Sequence, residues 1–365
     1  MDWQSRAVAQ VKTLHPYVPG KAIELLMAEK GLSEVIKLAS NENPFGPSPK
    51  AVQAVQQAAL NMHRYPDGDA IALRQALAEQ HQGAIENILL GNGSNEALEL
   101  LIRCFAGVDD EVIYASRGFI VYALATKAAG ATGVAVEEQD GLTHDLQGML
   151  DAINAQTKVI CIANPNNPTG TLLSRADLQV FLDQVPENII VILDEAYYEF
   201  IAQHVDDHQT LIHAGLVICR TFSKAYGLAG LRVGYAVADA AIIALVNRFR
   251  EPFNVNLLAQ KGALAALDDQ AWMKEKVEMT LFEREKMECF LEEVELLTGC
   301  SYGNFVLLSH AQAADIATGL ENRGVIPRPL APYGMAETLR ISVGSEAENN
   351  QFIHALISVM RELDA

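Results

Sequence analysis

Apolar residues recur along this chain in two alternating rhythms. Around Leu73 and Leu77 the spacing is that of one helical face, and it predicts a helix over Asp69 to Gln80. Lys50 to Asn61, Asn95 to Phe105 and Phe119 to Ala129 read as further helices. Between these segments lie short β-branched runs: Glu111 to Ala115, Val159 to Ala163, Ile189 to Leu193, Leu216 to Cys219 and Val233 to Val237. Buried runs of this kind, separated by helices, predict a mostly parallel sheet covered on both faces, hence a three-layer α/β domain. Beyond Pro252–Val255 the rhythm changes. A long charge-rich helix over Asp268 to Leu297 is followed by strand Asn304–Ser309, helix Ala311–Arg323, strand Thr338–Val343 and helix Glu346–Leu363. That order predicts a smaller α+β domain. The expected division is an N-terminal arm over 1–40 that packs on the small domain, a large domain over 41–252 and a small C-terminal domain over 253–365. The breaker-rich stretch Asn41 to Pro49 is expected to be an ordered loop.

Composition narrows the partners. The chain has 365 residues, half of them hydrophobic, enough for a sizeable core, and a formal charge of -19. So acidic a surface repels nucleic acid and anionic lipid, and no Lys/Arg run overrides it. An anionic substrate then requires a local basic pocket. Cys104, Cys161, Cys219, Cys289 and Cys300 have no CxxC spacing, so neither a disulfide framework nor a metal site is expected. Met1 to Pro16 is polar rather than signal-like, and no apolar run reaches spanning length. A cytoplasmic protein is expected.

In a parallel α/β sheet, ligands gather at the carboxyl ends of the strands. After Leu90 comes Gly91-Asn92-Gly93-Ser94-Asn95, a small-residue turn opening a helix. It suits a phosphate, and equally an ordinary turn with Ser94 as cap. After Ala163, two prolines and a glycine stiffen Asn164 to Gly170, which is either structural or a rigid mount for an Asn amide. Asp194 ends a buried run, where a carboxylate requires a cationic partner. A protonated ring nitrogen would serve, as would a cap or an ion pair. After Arg220 comes Thr221-Phe222-Ser223-Lys224-Ala225-Tyr226-Gly227, continuing to Arg232. Lys224 lies in a small, apolar loop, where desolvation frees a neutral amine for Schiff-base chemistry. Thr221, Ser223 and Arg232 supply donors for one dianion.

These segments, together with Asn41-Glu42-Asn43-Pro44, Arg64-Tyr65-Pro66-Asp67, Asp194 to Phe200, Pro252 to Asn256 and Leu339 to Gly344, resemble the class I/II aminotransferases of fold type I, which depend on pyridoxal phosphate. The resemblance extends over nearly the whole chain and is closest to the branch acting on histidinol phosphate. It implies that Lys224 carries the cofactor and moves a proton, and that Asp194 pairs with the ring nitrogen. Tyr197 and Asn167 would bond the ring oxygen, and Phe119 would stack on the ring. Gly93, Ser94, Asn95, Ser223 and Arg232, with Thr221, would cradle the phosphate. Tyr65 would reach the phosphate of a neighbouring subunit, which implies a homodimer with shared sites. Arg340 matches an arginine for the substrate's anionic group, while Arg328 and Tyr17 match residues that suit a substrate phosphate. The implied reaction is exchange of an amino group between L-histidinol phosphate and 2-oxoglutarate, in histidine synthesis. Broad aromatic transamination and a lyase such as a threonine-phosphate decarboxylase are the alternatives. One segment departs from the usual pattern: Ser116-Arg117-Gly118-Phe119-Ile120-Val121-Tyr122 replaces a Pro-rich turn, and Arg117 is either a substrate contact or a solvated loop residue.

Overall fold

The computed structural model describes residues 2–8, 10, 12, 20–202 and 210–363. Its strands are β1 (Ile36–Lys37), β2 (Ile88–Gly91), β3 (Glu111–Ala115), β4 (Thr132–Val136), β5 (Thr157–Ala163), β6 (Ile190–Asp194), β7 (Leu216–Thr221), β8 (Gly234–Ala238), β9 (Phe305–Ser309), β10 (Val325–Ile326), β11 (Arg328–Pro329) and β12 (Thr338–Ser342). Seven of them form one sheet in the order β2-β8-β7-β6-β5-β3-β4. Strand β8 runs antiparallel to both neighbours, and the other pairs are parallel.

Alternation along the central strands decides what each face meets. Val159, Cys161 and Ala163 of β5, with Ile190 and Ile192 of β6, pack with the helices Ser94–Phe105, Val121–Ala129 and Ala240–Val246. Ile160, Ile162, Val191 and Leu193 point the other way, against Leu146–Asp151 and Arg175–Leu182. Both faces are therefore dry, as the unbroken apolar runs predict.

The structure departs from the sequence expectation at several elements. Strand β4 was not expected: it is an edge strand with Thr132, Gly133 and Ala135 exposed, so only Val134 and Val136 carry an apolar signal. The helix expected from Phe119 begins at Val121, which leaves Phe119 in the preceding turn. The long helix is shorter at both ends than expected, covering Gln270–Glu293.

The C-terminal strands form an antiparallel sheet β11-β12-β9 over a core that includes Leu291, Ile316, Leu320, Ile341 and Phe352. The short β1 pairs in parallel with β10, which brings residues 36–41 alongside the C-terminal strands. Among the described residues no helix is long and apolar enough to cross a membrane.

Candidate active site

Because β5, β6 and β7 run parallel, Ala163, Asp194 and Thr221 end at the same sheet edge. A cavity of about 380 Å³ opens there, within the range of small-molecule sites. Its other wall comes from distant segments: Ser40 and Asn41 on one strap, Arg328 and Arg340 on β11 and β12, and Tyr333 on the turn that joins them.

Lys224 points into this cavity, and its ammonium donates to the Ser40 carbonyl at 2.9 Å. Burial, reinforced by Arg340, brings its pKa down to about 7, so a large share is neutral amine near neutral pH. The backbone turns sharply here, with Gly227 N–H donating to the Lys224 carbonyl at 3.0 Å. Gly227 adopts φ +68, and a Cβ there would lie 2.3 Å from the Gly46 carbonyl oxygen, so glycine lets the Lys224 loop close onto the 44–47 loop.

Asp194 is 3% exposed. Its Oδ2 accepts from the Tyr122 hydroxyl at 2.8 Å, whereas Oδ1 is buried with no hydrogen-bond partner. Burial pushes its carboxyl up to about 6, against the pull of Tyr122 and the Ala196 N–H. Such an acceptor is costly unless a donor, preferably cationic, reaches it from the cavity. The residue on the opposite side of the strand ends pairs separately: Arg220 Nε donates to Glu195 at 2.7 Å, both deeply buried, and its guanidinium lies 3.4 Å above the Tyr198 ring.

At one end of the cavity, donors converge. The helix Ser94–Phe105 starts there with Gly93 as its cap, so the Ser94 side chain is not the capping group. Thr221 Oγ1 donates to Ser223 Oγ at 3.0 Å, and Arg232 Nη1 lies 3.4 Å from the same oxygen. Gly93, at φ +83, presses against this guanidinium: an added Cβ would lie 2.4 Å from Arg232 Nη2. Helix N–H groups, two hydroxyls and an arginine around one open space form an anion cradle.

On the far side, Tyr197 is buried, and its hydroxyl oxygen accepts from Asn41 Nδ2 at 2.8 Å. Burial raises the phenol to about 12, so it keeps its proton. The loop after β5 is closed internally: Asn164 exchanges hydrogen bonds with Leu173 at 3.1 and 2.8 Å, and this leaves Asn167 to face the cavity. The Asn167 side-chain oxygen Oδ1 accepts from Arg340 Nη1, and Arg340 Nη2 donates to the Ala39 carbonyl at 2.8 Å. Arg328 is the register partner of Arg340 across β11 and β12, so the two guanidiniums share one wall.

The cavity thus collects Lys224, Asp194, Tyr197, Asn167, Phe119, Ser94, Asn95, Thr221, Ser223, Arg232, Arg328 and Arg340. Gly93 stands behind it. Tyr65 is absent from the lining: it is 82% exposed and stacks on Phe253 at 4.7 Å. Tyr17 lies outside the described residues. Arg117 does not line the cavity either. Its guanidinium donates to the Gly141 carbonyl and lies 3.9 Å from the buried Glu138, so it ties a loop together. Sequence reasoning did not single out Asn41, Tyr122 and Tyr333. Tyr122 left a faint signal, one helical turn beyond Phe119, whereas Asn41 and Tyr333 are brought in by chain segments remote in sequence.

Pyridoxal phosphate fits this arrangement. The orphaned Asp194 oxygen matches a protonated ring nitrogen, the Tyr197 hydroxyl a ring oxygen, the neutral Lys224 amine an aldehyde, and the cradle a phosphate dianion. Comparison with known proteins agrees. The family model for aminotransferase class I and II matches residues 33–356. The chain is 47% identical to histidinol-phosphate aminotransferase 2 of Pasteurella multocida over 354 residues, 96% of this chain and 97% of that protein. It is 45% identical to histidinol-phosphate aminotransferase 2 of Hydrogenovibrio crunogenus, covering 96% and 95%. The crystal structure of histidinol-phosphate aminotransferase from Sinorhizobium meliloti, in complex with pyridoxal 5'-phosphate, superposes with a TM-score of 0.90 at 28% identity, over 98% of both chains.

Proposed function

The chain belongs to the class I and II aminotransferase family, and from that premise we propose that it exchanges the amino group between L-histidinol phosphate and 2-oxoglutarate, as a step of histidine synthesis. The observation that carries the substrate assignment is the pair of guanidiniums, Arg328 and Arg340, on one wall of the Lys224 cavity. Two arginines suit a phosphate better than a carboxylate alone.

Pyridoxal phosphate, when bound, supplies an electron sink for the pair released from a substrate C–H bond. The protein does the rest. Lys224 would take the proton from the substrate carbon and deliver it to the cofactor's C4′ carbon, a task for which an amine poised near pH 7 is suited. Asp194 holds negative charge against the ring nitrogen. Tyr197 already accepts from Asn41, so its own proton is free to be donated toward the cavity. Phe119, which lines the cavity, would cover the ring face and exclude water. The N–H groups at Gly93, Ser94 and Asn95, the Thr221 and Ser223 hydroxyls and Arg232 hold the cofactor phosphate. Asn167 orients both the ring edge and Arg340. Arg340 receives the α-carboxylate of glutamate or the phosphate of histidinol phosphate, and Arg328 adds contacts for the phosphate.

Steady-state kinetics test the assignment. The expected kcat/KM is highest for the histidinol phosphate couple; an equal or higher value for phenylpyruvate makes the enzyme a broad aromatic transaminase, and carbon dioxide release without oxo-acid formation makes it a lyase. Arg328→Ala should raise KM for histidinol phosphate roughly tenfold or more, the loss of charge-assisted hydrogen bonds, with a much smaller change for glutamate. Equal losses on both would assign Arg328 to a shared carboxylate site.

We further propose a homodimer in which Tyr65 serves the partner's cofactor phosphate. Tyr65 and Phe253 stack on the surface, and Leu60, Met62 and Phe249 in the adjoining segments are 50–82% exposed. Exposed apolar side chains of this size are usual where a second subunit docks. Sedimentation should give twice the chain mass; a fully active monomer would refute the shared site.

A further inference from the structure

The Tyr122 hydroxyl donates to Asp194 Oδ2 at 2.8 Å, and both side chains are almost wholly buried, at 1% and 3% exposure. The helix Val121–Ala129 that carries Tyr122 packs on the same sheet face as Asp194, because residues 190, 192 and 194 of β6 share that face. Tyr122 meets the Phe119 ring edge-on, with centroids 5.9 Å apart and planes at 87°. One helix start therefore places both the residue at the cavity's aromatic wall and the group that holds Asp194.

A carboxylate on a single χ2 axis rotates unless something pins it. Here the Tyr122 phenol is the side chain hydrogen-bonded to the carboxylate, beside a smaller pull from the Ala196 N–H, and Oδ1 is buried without a partner. The remaining titratable groups that act on Asp194 do not pin it. Glu195 opposes its charge and Lys224 favours it, while Cys161, Cys219 and Tyr197 are buried neutral neighbours. Burial also holds the Tyr122 phenol well above its ordinary range, so it remains a donor throughout the working pH range.

We infer that Tyr122 is the positioning residue of Asp194: by occupying Oδ2 it fixes the carboxylate plane, presents Oδ1 to a cationic ring nitrogen in the cavity, and keeps the carboxylate charged over the pH range in which the site must hold that nitrogen. The inference rests on the reading that Asp194 faces the ring nitrogen of pyridoxal phosphate. Without the phenol the carboxylate loses a hydrogen bond to its charged form and takes up a proton more readily. The hold on the ring nitrogen then weakens, and weakens first on the acid side.

The test is equilibrium binding of pyridoxal phosphate to cofactor-free protein from pH 5.5 to 8.5, read by protein fluorescence, with 1-deaza-pyridoxal phosphate in parallel. The deaza analogue carries carbon in place of the ring nitrogen and cannot use Asp194. Tyr122→Phe keeps the ring and its packing. It should weaken pyridoxal phosphate binding about tenfold at pH 7 and move the acid limb to higher pH, while leaving the deaza analogue unchanged. Equal losses on both ligands would make Tyr122 a packing residue only, and no loss on either would also overturn the inference. Should the Phe variant fail to fold, 3,5-difluorotyrosine at position 122, a stronger donor of nearly the same shape, must move the acid limb to lower pH; an unmoved limb overturns the inference. Asp194→Asn separates the two layers. If it does not discriminate between the two ligands, the reading of Asp194 fails; if it does and Tyr122→Phe does not, only the positioning role fails.

Discussion

Replacing Lys224 with alanine should lower kcat for amino-group transfer by about 10⁴-fold or more, while the protein stays folded. Two roles are lost together, the attachment of the cofactor and the proton transfer at the substrate carbon, and general acid–base catalysis alone is worth roughly 10²–10⁴-fold. The structural cost is small. The ammonium makes one hydrogen bond, to the Ser40 carbonyl at 2.9 Å, and its burial already disfavours the charge. Alanine therefore removes a strained cation rather than a fold contact. Exchange of the substrate's Cα hydrogen with deuterated solvent, followed by NMR, is the sharpest measurement: it should cease in the variant. Exchange within tenfold of the wild-type rate would transfer the proton-moving role to another group.

Asp194→Asn should cost roughly 10²–10³-fold in kcat/KM, the scale on which a buried charge pair loses one partner. The cofactor-free protein should respond in the opposite sense. Burial raises the Asp194 carboxyl from its ordinary 3.8 to about 6, so in that range the folded state binds more protons than the unfolded state. Its contribution to stability is fully present below pH 4 and is lost as the pH rises through 6. The loss is on the order of 2–3 kcal/mol. Asparagine removes this dependence. Denaturant unfolding of cofactor-free protein should therefore show the Asn variant gaining on wild type between pH 4 and pH 7. A constant difference between the two across that range would mean that Asp194 is not held in a dry, unpaired state.

The chain's own periodicity is enough to read the central strands of the seven-stranded sheet. The runs at Val159–Ala163, Ile189–Leu193 and Leu216–Cys219 are apolar at every position, and the structure buries alternate residues against helices on opposite faces. The edge strand Thr132–Val136 carries little apolar signal because three of its five positions face water. The strand Arg328–Pro329 is too short for any period, and only its pairing with Leu339–Arg340 defines it.

The same division runs through the site. Lys224, Asp194 and Ser223 are legible because each lies at or just beyond the end of a buried run, and parallel strands deliver their terminal residues to one edge, where the antiparallel β8 starts just after Arg232. Their identity is local, but the burial that lowers the Lys224 pKa comes from remote segments, which bring Ser40 and Arg340 to the amine. Asn41 holds Tyr197 across 156 positions of sequence and is itself held by Ser342 across 301. No local pattern encodes such a contact, since any Asn in a breaker-rich loop reads alike. Tyr122 shows the limit most clearly, because its helix is predictable but the carboxylate it meets lies 72 positions away. Sequence by itself determined which groups bring chemistry to the strand ends. Only the tertiary structure decided which oxygen of Asp194 is taken, which group donates to the Tyr197 hydroxyl oxygen and which arginines share a wall, because those depend on faces that meet when distant segments pack.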